Sequence, residues 1–207
     1  GLLGNASAIP MLREAGEWPM PRVSEQRVAV VRIQIAEAMA RLGDDGALSS
    51  LRAGAHSAIG EVQVVAINAI GALGDEKGVS MLQVLLDRRP RGSRSQSRSQ
   101  SQPQSPWAHP VEVRLATAGA LARVARKQQF EHGREVGQFL QSMQDKARPM
   151  VLDASRSDRI AHRAQAAWVL GWFADAQTLR RVRQLMDDEA GPVRVAAAAS
   201  GLRRALR

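Results

Sequence analysis

The chain contains an internal repeat of about 30 residues, and this period is what most restricts the folds it can adopt. Segment 31–51 reads VRIQIAEAMARLGDDGALSSL and segment 62–82 reads VQVVAINAIGALGDEKGVSML. At an offset of 31 residues, Val31 aligns with Val62, and Leu42-Gly43-Asp44 aligns with Leu73-Gly74-Asp75. Each unit holds two helical patterns and cannot bury its apolar face alone, so units must stack on one another. The repeat predicts an all-helical fold, a right-handed α-solenoid of stacked helix pairs with no sheet.

The same pattern recurs along the rest of the chain. Val113-Arg114 opens VRLATAGALARV, Val193-Arg194 opens VRVAAAASGLRRAL, and a more degenerate copy, HRAQAAWVLGWFADAQTL, starts at His162. Residues 1–12 overlay residues 71–82, so the chain begins and ends inside repeats. We therefore expect residues 1–207 to form a single repeat domain that is part of a longer array.

Apolar periodicity and turn residues predict where the helices lie. Gly43 and Gly74 suit left-handed helix ends, Asp44 and Asp75 are expected to cap the helices that follow, and Pro149 is expected to break a long segment. Small residues such as Ala69 are expected to face a neighbouring helix. The expected helices lie near residues 6–15, 23–42, 46–55, 60–73, 77–88, 110–126, 132–147, 158–173, 176–188 and 192–206.

Residues 91–106, RGSRSQSRSQSQPQSP, form a low-complexity segment without one apolar side chain. Such a segment cannot offset its own ordering entropy, so we expect a disordered Ser/Arg/Gln-rich insertion between stacked units. Its serines and arginines allow a phosphorylation-controlled arm or a basic tether for nucleic acid, and an unselected solvated insertion explains them equally well.

The amino-acid composition says more about the fold than about the cellular compartment or the chemistry of the protein. Apolar residues make up 44% of the chain and aromatic residues 3%, which suits helices packed through Ala, Leu and Val. There is no cysteine, so disulfide and thiolate chemistry is excluded, and no stretch approaches the ~20 apolar residues of a membrane span. The net charge is +9, and 26 of the 29 basic residues are Arg. This balance is typical of a GC-rich bacterial genome, or else reflects arginines that grip phosphates or carboxylates.

The repeats resemble HEAT repeats, in particular the short HEAT-like repeats of the phycobilin lyase type. The pattern is an acidic residue, Val-Arg, small residues at helical spacing, and Leu-Gly-x-Leu-Gly-Asp. The copies that carry it run from Val31-Arg32 to Gly43-Asp44, from Ile70 to Asp75, and from Asp188 to Val193-Arg194. The resemblance implies an α-solenoid and is almost silent on function, because this repeat class includes scaffolds, lyases, hydroxylases and DNA repair proteins.

Four arginines, Arg32, Arg114, Arg163 and Arg194, recur at the same repeat position. They are candidate partner-binding residues, because together they would form a basic stripe along one groove. The resemblance implies a structural alternative, in which each arginine pairs with an acidic residue or a carbonyl of an adjacent repeat. Asp158 before Arg163 and Asp188 before Arg194 fit that alternative.

Trp168 and Trp172 are four residues apart on one helix face and are the other candidate partner-binding residues. HEAT-like DNA glycosylases use Trp beside an acidic residue, so the resemblance implies that this pair could stack a nucleobase near Asp175. Packing between repeats is the alternative.

No motif in the sequence predicts catalysis. The four histidines are scattered, the His-Glu dipeptides of the HEAT-like iron hydroxylases are absent, and there is no Gly-rich phosphate loop or His-Glu-x-x-His pattern. A phycobilin lyase role has only the generic repeat in its favour. We therefore expect no catalytic residues, no cofactor and no metal, and a protein that is more likely than not to lack enzymatic activity.

Two functional hypotheses remain. The first is a non-enzymatic protein–protein interaction scaffold that binds a protein partner, acidic if the charge is used, along the concave face lined by the Val-Arg helices. The second is nucleic-acid binding or base excision through an Arg-rich groove with Trp168 and Trp172. A steep fall of DNA affinity with salt would favour the second.

Overall fold

The computed structural model describes residues 4–87, 110–132, 138–173 and 175–205, and over these residues the protein is all-helical. They form ten α-helices and two short 3₁₀-helices, without a strand. The all-helical prediction is therefore confirmed for the described part of the chain. The predicted disordered insertion, residues 91–106, lies outside it.

The helices follow the expected order, and most of their ends lie within three residues of the predicted ones. The sixth helix ends at residue 132 instead of 126, and the seventh covers residues 138–154 instead of 132–147. The 3₁₀-helices are Ala6–Ala8 and Glu76–Gly78. The α-helices are α1 (Ile9–Glu17), α2 (Glu25–Arg41), α3 (Asp45–Gly54), α4 (Gly60–Leu73), α5 (Val79–Asp87), α6 (Val111–His132), α7 (Gln138–Ala154), α8 (Ile160–Leu170), α9 (Ala176–Leu185) and α10 (Gly191–Ala205).

The even-numbered helices contact one another in chain order and make up one layer. Helix α2 packs against α4, α4 against α6, α6 against α8, and α8 against α10. Three odd-numbered helices each contact two consecutive even-numbered helices: α3 contacts α2 and α4, α7 contacts α6 and α8, and α9 contacts α8 and α10. We call α2, α4, α6, α8 and α10 the even-helix layer. It is the platform for the surface described below.

One apolar core runs between the two sets of helices. Ala69 is 1% exposed, in agreement with its predicted position against a neighbouring helix. None of the described helices is long and apolar enough to cross a membrane. The largest fully buried side chains are Phe173, Leu51, Ile67, Ile70, Leu82, Leu85, Leu115, Leu170, Leu185, Val113, Val124 and Val151.

Small residues set the distance between neighbouring even helices. A Cβ atom on Gly71 of α4 would lie 2.5 Å from the Cα atom of Ala120 on α6. A Cβ atom on Gly171, directly after α8, would lie 2.6 Å from the Cβ atom of Ser200 on α10. Backbones can approach this closely only where no side chain intervenes, so glycine is required at both crossings.

The turns confirm the glycines and correct one cap. Gly43 and Gly74 have φ values of 97° and 70°, as expected for left-handed helix ends. The side chain of Asp44 caps α3 by accepting from the Gly46 backbone N–H at 2.9 Å. The same expectation for Asp75 is wrong, since its side chain makes no cap. Its two carboxylate oxygens instead accept from Arg52 Nε and Nη2 at 2.6 and 2.8 Å.

Pro149 does not end a helix, in contrast to the prediction. It lies inside α7, where it is exposed, with Ala147 before it and Val151 and Leu152 after it all buried. Burial of these apolar side chains on both sides offsets the hydrogen bond that proline cannot donate. Tertiary packing overrides the local preference here.

Candidate interaction surface

Arg163 is a structural residue of the α8–α10 region. Its Nε and Nη2 atoms donate to the two carboxylate oxygens of Asp188, both at 3.0 Å, and Nη1 donates to the Ser157 and Asp158 carbonyls at 3.0 and 3.2 Å. The side chain is 11% exposed. Arg163 therefore ties the start of α8 to the turn before α10, and Asp158 contributes its carbonyl rather than its carboxylate.

Of the other three predicted arginines, Arg32 and Arg194 are exposed, and each donates to backbone carbonyls. Arg32 Nε donates to the Gly16 carbonyl of α1 at 3.2 Å, and Arg194 Nη1 donates to the Asp188 and Glu189 carbonyls at 2.9 Å. Arg114 is half-buried on α6. These contacts fit the structural alternative better than an open basic stripe.

Trp168 and Trp172 pack against each other on α8 and on the turn directly after it. Their ring centroids are 5.8 Å apart with an interplanar angle of 65°, an edge-to-face arrangement. Both side chains are half-buried, and the next residue, Phe173, is buried. The predicted pair is thus neither fully in the core nor freely exposed.

Three arginines from the two neighbouring helices lie over these rings. The guanidinium carbon of Arg123 on α6 is 4.8 Å from the Trp168 centroid. That of Arg203 on α10 is 4.9 Å from the Trp168 centroid and 4.4 Å from the Trp172 centroid. That of Arg126 on α6 is 5.9 Å from the Trp172 centroid. We call Arg123, Arg126, Arg203, Trp168 and Trp172 the Arg–Trp cluster.

The fixed positions of the cluster follow from its neighbours. Arg123 Nη2 donates to Asn68 Oδ1 of α4 at 2.9 Å, and its Nε donates to the Gly119 carbonyl at 3.3 Å. Gly119 lies beside the Trp168 ring, since a Cβ atom there would be 3.5 Å from Trp168 Cζ3, an ordinary van der Waals contact. The cluster is thus built from α6, α10, α8 and the turn after α8, and Asn68 of α4 holds Arg123 in place.

The Arg–Trp cluster brings positive charges close together where burial partly excludes water. Burial and the nearby charge of Arg203, against the opposing effect of Glu37, together lower the pKa of Arg123 to about 10. Burial and the charge of Arg126 also lower the pKa of Arg203. Arg123 and Arg203 lie within 5 Å of one ring, so their charges are at most about 10 Å apart, close to the Debye length at 0.1 M salt. Among the described residues, Arg126 Nη1 is buried without a hydrogen-bond partner.

The acid expected beside the tryptophans has another role. Asp175 is the N-cap of α9, accepting from the Thr178 backbone N–H at 2.9 Å, and it pairs with Arg148 Nε at 3.2 Å. Burial works against its ionisation, but the Thr178 hydrogen bonds and the Arg148 charge together lower the pKa of Asp175. It is a structural cap and not the poised acid that the resemblance to glycosylases implied.

Ser157 in the α7–α8 turn, His162 on α8 and Glu112 on α6 form a row of contacts. Ser157 Oγ is 3.3 Å from His162 Nδ1, and His162 Nε2 is 2.7 Å from Glu112 Oε1. However, Ser157 Oγ also accepts from the Arg159 backbone N–H at 3.2 Å, which makes it part of the turn before α8. We assign this chain of contacts to the joining of α6 and α8. Within the described ranges, no group of three or more potential ligands could hold a metal ion.

A mixed-charge cavity of about 820 Å³ lies at the carboxyl ends of α2 and α4. Arg41, Lys77 and Lys127 line it, together with the paired Arg52 and Asp75. Because acidic and basic groups alternate on its walls, it has no net preference that would identify a ligand.

The four arginines predicted from the sequence stay candidates for partner binding, and the structure adds Arg123, Arg126 and Arg203, which the sequence did not single out. Arg123 and Arg203 follow the predicted Arg114 and Arg194 by nine residues, and Trp172 follows Arg163 by the same nine. These positions therefore share one repeat register, which is the pattern that could have identified them. Trp168 and Trp172 were found from the sequence, and their arginine partners were not.

No protein-family model matches the chain, and no curated protein matches it with significant similarity. The resemblance to HEAT-like repeats therefore depends on the repeat motifs themselves.

Proposed function

We propose that this chain is a right-handed α-solenoid of the HEAT-like type and acts as a non-enzymatic interaction scaffold. In this proposal it binds a protein partner along the concave face, which the even-helix layer lines, and the Arg–Trp cluster receives acidic side chains of that partner.

The order of helix contacts supports the solenoid. Each even helix contacts the next even helix, and α3, α7 and α9 each pack against the even helix before them and the even helix after them. The Val-Arg repeat of the sequence falls on these same even helices. In such an array, one face of the second helices remains available along the whole length, which is the surface that repeat proteins use for binding.

The single observation that carries the functional proposal is the Arg–Trp cluster. Three guanidinium groups share two indole rings, and burial together with the neighbouring like charges lowers the pKa of Arg123 and Arg203. An anionic group placed beside them would relieve this repulsion and form charge-assisted hydrogen bonds. Trp and Arg are also the residues that most often dominate binding energy at protein interfaces.

The geometry favours a protein partner over nucleic acid. Guanidinium groups already lie over both indole rings, so a nucleobase could stack there only after Arg203 had moved. Nucleic-acid binding also depends on a row of phosphate contacts. Arg32, Arg163 and Arg194, which would extend such a row, donate to groups of the protein itself.

The proposal can be tested with random twelve-residue peptides displayed on phage and selected on the immobilised full chain. We expect enriched peptides to contain Asp or Glu. The affinity of a synthetic enriched peptide should fall at least tenfold for Arg203→Gln, because the guanidinium shared by both rings is removed. Arg180→Gln is the matched control, since Arg180 is exposed on α9, outside the even-helix layer; its affinity should equal that of the unmodified protein.

The same proteins should be titrated with a 20-base-pair DNA duplex at two salt concentrations. Weak binding that is equal for Arg203→Gln and Arg180→Gln is the expected result. The proposal is wrong if no peptide is enriched. Nucleic-acid binding takes its place if the duplex binds tightly, loses affinity steeply with salt, and depends on Arg203.

A further inference from the structure

The face that carries the Arg–Trp cluster has a second, oppositely charged end. On α6, Glu112, Gly119, Arg123 and Arg126 are separated by seven, four and three residues, so they lie on one side of the helix. On α4, Glu61 and Asn68 have the same seven-residue separation. The carboxylates are in the first turns of their helices, and the arginines lie toward the carboxyl end.

An apolar groove of about 580 Å³ lies at the acidic end of this face. Val64, Val65 and Val113 line it, and Glu61 and Glu112 are also among its lining residues. Val64 and Val65 are half-buried, so their exposed surface is available to an apolar side chain.

The groove and the cluster are continuous. Asn68 lines the groove and also accepts the hydrogen bond from Arg123 Nη2. Gln165 of α8 lines the groove as well, and Trp168 follows it by one turn of the helix. A single bound segment could therefore contact both without a gap between them.

The carboxylates of Glu112 and Glu61 differ in how many partners they already have. Glu112 Oε1 is 2.7 Å from His162 Nε2 and 3.7 Å from Arg159 Nη1. Burial opposes its ionisation, while its backbone hydrogen bond and His162 lower the pKa of Glu112, so it stays charged at neutral pH. Glu61 is exposed and accepts one hydrogen bond from Gln26 Nε2 at 2.8 Å, which leaves it able to receive a cation.

From this arrangement we propose that the partner presents a short bipolar segment: a Lys or Arg side chain beside Glu61, apolar side chains in the groove, and an Asp or Glu at the Arg–Trp cluster. The inference rests on the proposed function and specifies the chemistry of the partner. Charge complementarity at the two ends fixes the direction in which the segment lies across the layer.

The helix rise sets the minimum length of this segment. Glu112 and Arg123 are eleven residues apart on α6, which corresponds to about 16 Å at 1.5 Å per residue. An extended chain covers that distance in about five residues at ~3.3 Å each. Glu61 on α4 and Arg203 on α10 lie on more widely separated helices, so the basic and acidic side chains should be at least about five positions apart, with apolar residues between them.

Exchanging the charges at each end separately tests the proposal. The display selection is repeated on Glu61→Lys and on Arg203→Glu. We expect Glu61→Lys to convert the preferred basic position into an acidic one without changing the distant acidic position. Arg203→Glu should replace the distant acidic preference by a basic one. Val64→Asp should lower the affinity of the synthetic peptide at least tenfold.

Glu14→Lys is the matched control, because Glu14 is exposed on α1 and lies outside the even-helix layer; its selected sequences should be those of the unmodified protein. Far-ultraviolet circular dichroism confirms that each variant remains helical. If Arg203→Glu changes the selection and Glu61→Lys does not, the bipolar segment is wrong and the proposed function stands. If neither change alters the selection, or no peptide is enriched, both are wrong.

Discussion

At the scale of single residues, the same amino acid does two different things in this chain. Arg163 donates to the Asp188 carboxylate and to two backbone carbonyls, so its charge already has a partner within the folded protein. Arg203 lies over two indole rings, and among its contacts is a 3.4 Å hydrogen bond to the Trp168 carbonyl. Neither contact of Arg203 supplies a negative charge. The partner of each arginine, rather than the number of arginines, therefore decides which are available for binding.

Asp175 illustrates a local contribution to stability. We expect Asp175→Ala to lower the free energy of unfolding by about 1 kcal/mol, because α9 loses its N-cap acceptor. Asp175→Asn should cost less, since asparagine caps helices nearly as well. Urea denaturation at pH 7 measures both, and equal losses would show that the cap contributes nothing.

The pH dependence of the same site has a definite sign. The pKa of Asp175 is lowered in the folded protein, so its ionisation stabilises the fold above its ordinary pKa of about 3.9. That contribution is lost as the pH falls through the lower folded value. Between pH 6 and pH 3, the unmodified protein should lose more stability than Asp175→Asn. Parallel pH profiles would contradict the assignment.

At the scale of secondary-structure elements, close crossings between even helices are set by glycine. We expect Gly71→Ala to destabilise the protein by roughly 1–3 kcal/mol, because the new Cβ atom would meet the α6 backbone at Ala120. Gly60→Ala is the matched control in the same helix, since a Cβ atom there meets nothing within 4 Å. It should be neutral or slightly stabilising. Similar losses for the two variants would mean that helix α4 does not contact α6 at this point.

Helix α7 contains a proline in its interior, Pro149, which disfavours the helix. Pro149→Ala should raise the stability by roughly 1–3 kcal/mol, because a helix-interior proline lacks one hydrogen bond and crowds the carbonyl of Asp145. Pro10→Ala is the control, since Pro10 is in the first turn of α1, where proline is tolerated. Thermal unfolding of the two variants distinguishes them, and an unchanged melting temperature for Pro149→Ala would place the helix break at that residue.

At the scale of the whole molecule, the net charge is +9, and the arginines that contribute to it differ in whether the fold supplies them with a negative partner. The part that matters for binding is the Arg–Trp cluster, where helices α6, α8 and α10 bring charges together that are distant in sequence. Because these charges repel one another, a multivalent anion should stabilise the folded protein by binding it preferentially.

Sulfate provides that test without a partner. Sodium sulfate at 10 mM should raise the melting temperature relative to sodium chloride of equal ionic strength, by about 2–4 °C for each 1 kcal/mol of binding free energy. Arg203→Gln should reduce this increase by at least half, whereas Arg180→Gln should leave it unchanged. An equal increase in all three proteins would assign the effect to general charge screening.

The sequence by itself was sufficient for features that depend on neighbours three or four residues away. The helical order, the left-handed Gly43 and Gly74, the Asp44 cap and the buried Ala69 all follow from local hydrogen bonds and apolar periodicity. Trp168 and Trp172 were also singled out, because their four-residue spacing places them together on any helix.

Only the tertiary structure decided which residues meet across helices. Arg123 reaches Trp168 and Asn68, and Asp75 binds Arg52 instead of capping a helix, because side chains from separate helices compete for the same charges and hydrogen bonds. Pro149 stays helical because buried neighbours on both sides hold its helix in place. These outcomes depend on the rotation and stagger of packed helices. A repeat of about 30 residues specifies how often helices recur along the chain, but not which side chains come into contact.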